Sequence, residues 1–189
     1  IGAWVLERAC EQASKWDRAD QKPLLVAVNA SARQFAHGDV FFDTIAGVLA
    51  STGLHPSQLR IEVTESTLGN PVTVGPLVAE LKHLGVSLAI DDFGTGFSSL
   101  ARLRSFYVDE LKIDRSFVEG LENHADDRAV VAAIIGMARA LHVDTVGEGV
   151  DTPCPLAFLH PLVCDRAQGF HLGRPMPASE IPALLDARD

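Results

Sequence analysis

The sequence predicts an α/β fold on a parallel sheet, either a (β/α) barrel or an open doubly wound sheet. Two observations lead there. Six apolar runs of strand length occur along the chain, each followed by a segment with helical spacing. Each of those runs also ends in a polar residue fit for chemistry, namely Asn29, Glu62 with Glu65, Asp91 with Asp92, Lys112 with Asp114, Glu148, and Gln168. A barrel gathers such ends on one face, whereas an open sheet spreads them along an edge.

Taken in order, Trp4 to Trp16 carries Trp4, Val5, Leu6, Ala9, Ala13 and Trp16 at helical spacing, an amphipathic helix most of whose apolar stripe is read as core. Asp17 to Pro23 is a polar break. Leu24 to Val28 reads as a buried strand ending at Asn29, followed by helical sequence to Gly53 with an interruption near Gly38. Leu59 to Thr64 alternates, with Ile61 and Val63 on one face and Arg60, Glu62 and Thr64 on the other. Leu77 to Leu84 is helical and stopped by Gly85. Val86 to Ile90 is a strand that stops at Asp91 and Asp92, before a Gly-Thr-Gly loop and a short helix from Ser98 to Leu103.

Val108 to Ile113 is the fourth strand. The helix Asp126 to Leu141 stripes Val130, Val131, Ile134, Ile135, Ala138 and Leu141, with Asp126 and Asp127 in its first turn and Arg139 in its last, as the helix dipole favours. Val143 to Val146 leads to Gly147-Glu148-Gly149. A helix through Leu156 to Leu162, a short strand near Cys164 to Gln168 and a terminal helix from Ala178 to Ala187 complete the chain.

Composition narrows the function. With 189 residues, 47% of them hydrophobic, the chain can fill one core. No apolar run approaches the ~20 residues that span a bilayer. The net charge of −9 argues against a nucleic-acid polymer as partner. Three cysteines without C-x-x-C spacing, and seven histidines without metal-ligand spacing, fit a reducing, cytoplasmic setting and argue against a zinc site. The chain opens at Ile1 rather than Met and is expected to be part of a longer protein, one that a membrane could anchor elsewhere.

Asp91 and Asp92 repel each other and resist desolvation, so they form either a solvated acidic turn or a divalent-cation site. Oxygen ligands without Cys or His point to Mg²⁺ or Mn²⁺, and a cluster able to hold two such ions points to phosphodiester hydrolysis. Glu148, set between two glycines, implies a close approach of the backbone to something. Bland readings stand beside these: Asn29 as a cap, Glu62 on a wet strand face, and Lys112 as a structural ion pair.

Several segments then resemble one family. They are Val28-Asn-Ala-Ser-Ala-Arg-Gln-Phe35, Glu62-Val-Thr-Glu65, Asp91-Asp-Phe-Gly-Thr-Gly-Phe-Ser-Ser-Leu100, Leu111-Lys-Ile-Asp-Arg-Ser-Phe-Val118, Gly147-Glu-Gly-Val-Asp151, and Gln168-Gly-Phe followed by Arg174-Pro. In order and spacing they resemble EAL-domain cyclic di-GMP phosphodiesterases over nearly the whole chain.

The resemblance implies a (β/α)8 TIM-like barrel, of which residues 1–189 would be the last six βα units, the first two strands lying upstream. It implies hydrolysis of cyclic di-GMP to linear pGpG with two Mg²⁺ or Mn²⁺ ions, inhibition by Ca²⁺, a homodimer, and attachment to sensory or GGDEF domains. Asn29, Glu62, Asp91, Asp92 and Glu148 would be metal ligands. Lys112 would hold the attacking water or a phosphate, and Glu148 would alternatively serve as general base. Glu65 would steady the loop Phe93 to Ser99, which contains Gly94, Thr95 and Gly96. Asp114 and Gln168 would support the site, and Ser31, Arg33 and Arg174 would touch substrate.

Departures accompany the likeness. The Glu-Ala-Leu that names the family is absent from these residues, and with it one expected ligand. Ala30, Gly147, Asp151, Phe97 and Val163 also differ from the usual residues. Two rival readings follow: a degenerate EAL domain acting as a cyclic di-GMP sensor or protein-interaction module, and another metal-dependent barrel enzyme with Lys112 as base.

Overall fold

A computed structural model describes residues 1–16, 23–69, 71–96, 103 and 105–186. The break expected at Asp17 to Pro23 and the short helix expected at Ser98 to Leu103 fall almost wholly outside them.

Six strands form one sheet: β1 Val26–Asn29, β2 Leu59–Thr64, β3 Ser87–Phe93, β4 Glu110–Ile113, β5 Asp144–Gly147 and β6 Arg166–Ala167. They pair in sequence order, and every pairing is parallel. Sequential order decides between the two predicted architectures. A doubly wound sheet reverses its strand order at a switch point, and this sheet has no reversal. Right-handed crossovers that all step the same way put every helix on one face, so the other face is buried by curling into a barrel wall.

The helices bounded among the described residues are α1 Gly2–Trp16, α2 Ala32–Ala36, α3 Gly38–Thr52, α4 Pro71–Leu84, α5 Arg115–Glu119, α6 Ala125–Ala140, α7 Cys154–Leu159 and α8 Ile181–Asp186. The core joins strand residues Leu59, Ile61, Val63, Leu88, Ile90, Leu111 and Ile113 to helix residues Ile45, Leu77, Leu81, Ile134 and Ile135. The opposite set on the strands is polar yet buried: Arg60, Glu62, Glu110 and Lys112. β2 is therefore buried on both faces, as parallel strands are, and Glu62 does not lie on a wet face.

Several expectations need correction. Trp4 and Val5 are not core, being 64% and 41% exposed; α1 buries Leu6, Cys10 and Ala13, an i, i+4, i+7 line that leaves Trp4 and Val5 to one side. α4 starts at Pro71, six residues before the periodic stretch, and carries Pro76 inside it. Pro76 is the sixth helical residue, past the four whose N–H groups lack a helical partner, so it leaves one helical hydrogen bond unmade. α7 spans Cys154–Leu159 rather than Leu156 to Leu162, and Pro155 sits in its first turn. The terminal helix is split into a 3₁₀ turn, Ala178–Glu180, and α8. β3 does not stop at Ile90 but runs through both aspartates to Phe93.

Ala89 on β3 is fully buried and in register with Glu62 on one side and Glu110 on the other. Its small side chain leaves room for the long polar groups of β2 and β4 to meet across β3. Ala89→Leu is expected to lower unfolding stability by about 1–3 kcal/mol through overpacking. Urea denaturation checks this, and an unchanged midpoint would contradict it.

Candidate metal centre

The carboxyl ends of β2 to β5 converge on one ammonium. Lys112 Nζ, on β4, lies 2.9 Å from Glu62 Oε2 on β2, 2.8 Å from Asp91 Oδ1 on β3 and 2.8 Å from Glu148 Oε1 just beyond β5. Burial alone would pull the Lys112 pKa down, but the three carboxylates reverse that and hold it above the ordinary lysine range. Lys112 is therefore charged, and it is an ion-paired interior group rather than a surface one.

A local irregularity aims the aspartates. Neighbours on a regular strand point to opposite faces. Between Ile90 and Phe93 the register with β4 shifts, and Asp92 adopts a left-handed backbone with φ +53°. This bulge turns Asp92 toward the side occupied by Asp91. As a result, oxygens of Asp91, Asp92 and Glu148 all lie within 4.8 Å of one another. The Asp92 carboxyl is held above its ordinary range by partial desolvation first, then by the negative charge of Asp91 and Asp114, with Lys112 opposing. Burial likewise raises Glu148, against the lowering effect of Lys112, with Asp91 and Glu62 adding to the rise.

The donor set fits a hard divalent cation. Asp91, Asp92 and Glu148 offer only oxygens. Asp91 Oδ1 is buried and, apart from its charge contact with Lys112, has no hydrogen-bond donor among the described residues. An anionic oxygen with a single cationic partner keeps lone-pair capacity that a divalent ion can meet.

The remaining candidates surround this cluster at different removes. Asn29 ends β1 in register with Glu62, and its side chain is exposed. The Glu65 carboxylate lies against Gly96, where a Cβ would sit 3.0 Å from Oε2, so Glu65 and the Gly-Thr-Gly loop are in contact. That Oε2 is buried and lacks a hydrogen-bond partner among the described residues. Thr95 Oγ1 donates to the Asp92 carbonyl at 2.9 Å, closing the turn. Gly94 has φ +105°, and a Cβ there would meet Phe117 at 2.8 Å, which only glycine avoids.

Asp114 caps α5, its Oδ1 accepting from the Ser116 amide at 2.9 Å, while also raising Asp92. Gln168 acts through its backbone: its N–H donates to the Gly147 carbonyl and its carbonyl accepts from Val150 N–H, at 2.8 and 3.0 Å. Ser31 caps α2 in a capping box with Gln34, and with Arg33 it lines a surface groove of about 350 Å³. Arg174 stacks over the Phe170 ring at 5.1 Å. The close approach implied beside Glu148 is made by protein. A Cβ on Gly149 (φ +71°) would lie 2.3 Å from Arg115 Cγ.

One set of residues escaped the sequence reading. Glu110, 3% exposed, sits two positions before Lys112 on the same face of β4 and pairs with both Arg60 and Arg166. Arg166 also reaches Asp144 at 2.8 Å. The alternation that placed Arg60 beside Glu62 was a signal for this second charged layer, but its partner on β4 is fifty residues away in sequence.

A half-barrel of parallel strands with a cation-ready acidic cluster at its carboxyl ends defines the class: a (β/α)-barrel domain with its site where such barrels carry theirs. The chain belongs to the EAL domain family, whose description matches residues 1–175. It is 44% identical over 186 residues to the bifunctional diguanylate cyclase/cyclic di-GMP phosphodiesterase MucR of Pseudomonas aeruginosa, covering 98% of this chain and 27% of that protein. It is 42% identical over 185 residues to the cyclic di-GMP phosphodiesterase NbdA of the same organism, covering 97% and 24%. The chain thus spans about a quarter of the length of these relatives.

Among solved structures, the MucR phosphodiesterase in complex with c-di-GMP superposes with a TM-score of 0.90 at 43% identity, over 96% of this chain and 73% of that one. The EAL domain of Mycobacterium smegmatis DcpA gives 0.91 at 39% identity, over 99% and 84%. These EAL domains are TIM-like barrels. The Klebsiella pneumoniae BlrP1 manganese/cy-diGMP complex gives 0.76 at 26% identity, over 89% and 43%.

Asp92→Asn tests the electrostatics of the cluster, since Asn tolerates a left-handed backbone. In the cation-free chain near pH 7 it removes a carboxylate repelled by Asp91 and Asp114, so the melting temperature is expected to rise. The raised pKa means the folded state takes up this proton before the unfolded state does. Wild type therefore recovers stability as pH falls toward the ordinary carboxylate range, and the advantage of Asn shrinks over the same interval. Melting curves between about pH 7 and pH 4 check this; an advantage that grows on acidification would contradict it.

Proposed function

We propose that this chain is the catalytic portion of a metal-dependent phosphodiesterase that hydrolyses cyclic di-GMP to linear pGpG. The observation that carries the proposal is the Lys112-centred cluster, with the oxygens of Asp91, Asp92 and Glu148 gathered within 4.8 Å of one another, in a member of a family whose relatives MucR and NbdA are named cyclic di-GMP phosphodiesterases. Asp91, Asp92 and Glu148 would hold Mg²⁺ or Mn²⁺, two ions per site, with Glu62 and Asn29 adding ligands on the β1–β2 side and one further expected ligand lying outside these residues. When bound, such ions supply an activated water and a charge clamp on the phosphodiester oxygens.

The chain's own groups do the rest. Lys112 Nζ, set among Glu62, Asp91 and Glu148, would donate to the attacking water or to a phosphate oxygen. Glu148 would serve either as a ligand or, alternatively, as the general base that takes the proton the water loses. Ser31, Arg33 and Arg174 would meet the outer parts of the dinucleotide. Glu65, against Gly96, would couple the Phe93 to Ser99 loop to the cation site and to a homodimer contact. The longer protein would carry sensory or GGDEF domains and place this domain in the cytoplasm. Among the described residues, no helix is long and apolar enough to cross a membrane.

The purified full-length parent protein with Mn²⁺ is expected to convert cyclic di-GMP to pGpG, resolved by ion-exchange chromatography, with Ca²⁺ inhibiting, whereas residues 1–189 alone are expected to turn over slowly or not at all. Binding of cyclic di-GMP without any pGpG would establish the sensor reading instead. Asp91→Asn is expected to cut turnover by at least about a hundredfold with little change in fold, since groups merely supporting a metal ligand already cost 10–100-fold. Wild-type turnover at low Mg²⁺ would remove Asp91 from the ligand set. Glu65→Ala is expected to raise the Mn²⁺ concentration needed for half-maximal turnover and to shift dimer toward monomer on size exclusion. An unchanged Mn²⁺ titration would contradict that coupling.

A further inference from the structure

The second charged layer lies directly beneath the metal centre, and its pairing pattern is informative. β2 presents Arg60 and Glu62 on the barrel face, and β4 presents Glu110 and Lys112. Glu62 and Glu110 flank Ala89 in one row. Each of the two cations therefore has both Glu62 and Glu110 within reach, Lys112 in addition to Asp91 and Glu148. Arg60 stands two residues before Glu62 on its own strand, and Lys112 two residues after Glu110, a separation of roughly 6.5 Å along a strand. The observed pairs are both across strands: Arg60 with Glu110, and Lys112 with Glu62. Arg60 also donates from Nε to Ser87 Oγ at 3.2 Å, which fixes its guanidinium over β3.

The geometry points to Arg60 as a positioning residue that aims Lys112 at the metal centre: by engaging Glu110 it withholds from the lysine the one carboxylate that would draw it away from that centre. Arg60 touches neither substrate nor cation; it acts through Lys112. This inference rests on the cation site proposed above. Without Arg60, Glu110 keeps Arg166, which is 46% exposed, and gains capacity to accept the Lys112 ammonium. Lys112 then divides its time between the two layers. A cation entering the upper carboxylates meets less competition from the ammonium, while water or phosphate loses its donor. A merely structural loosening would do the reverse and weaken cation binding.

The test uses Arg60→Met, read by Mn²⁺ titration with electron paramagnetic resonance and by NMR of the Lys112 side chain in the cation-free protein. The Lys112 signals are assigned by their loss in Lys112→Met. Arg60→Met is expected to tighten Mn²⁺ binding about tenfold, or about 1.4 kcal/mol, and to shift the Lys112 signals. Arg60→Lys and the double variant Arg60→Met/Glu110→Gln are expected to return both toward wild type. In the Lys112→Met background, Arg60→Met is expected to leave Mn²⁺ affinity unchanged, which separates aiming of the lysine from simple removal of a positive charge. Arg60→Gln serves the same purpose if the methionine variant does not fold.

Unshifted Lys112 signals, weaker Mn²⁺ binding, or an Mn²⁺ effect that persists without Lys112 would each overturn the inference. Failure of the wild-type chain to bind Mn²⁺ would overturn the metal centre instead, and the cation-free Lys112 signals would still decide the role of Arg60.

Discussion

One buried ammonium organises this domain's centre. Lys112 is 6% exposed and meets Glu62, Asp91 and Glu148, contributed by or just beyond three different strands. Burying any one of these charges alone would cost several kcal/mol. Together they are tolerated because each meets an opposite charge, so the carboxyl ends of β2, β3, β4 and β5 are bound to a common point. The same arrangement holds the carboxylates close enough to receive a divalent cation. Stability of the cation-free domain and readiness for the cation thus arise from one contact set.

The fold delivers that set through two local devices. Sequential parallel strands with all helices on one side leave an inner face that must be filled by side chains, and here long charged residues fill it in two layers. The bulge at Asp92 then breaks strand alternation at one place, so that adjacent aspartates serve one site. The lower layer of Arg60, Glu110, Arg166 and Asp144 occupies the room beneath, made accessible by Ser87 and Ala89 on the intervening strand.

Much of this was legible in the sequence because it rests on periodicity. β2 was bounded correctly at Leu59–Thr64, since alternation of apolar and polar residues is a property of the strand alone. Glu62, Asp91, Lys112 and Glu148 could be singled out because parallel strands deliver their ends to one face. What escaped depends on relations between distant segments. The left-handed turn at Asp92 reflects how β3 pairs with β4, which polarity does not encode. The Arg60–Glu110 pair needs the register of three strands. Exposure of Trp4 and Val5 follows from which line of α1 meets the sheet, and an apolar stripe wider than the contact cannot announce that.

The most direct measurement of the central claim is an anomalous difference map from crystals of this chain soaked in Mn²⁺. The account requires a manganese peak bounded by Asp91, Asp92 and Glu148, with Lys112 Nζ drawn away from at least one of its three carboxylates. Density elsewhere on the protein, with the Lys112 cage undisturbed at saturating Mn²⁺, would contradict it.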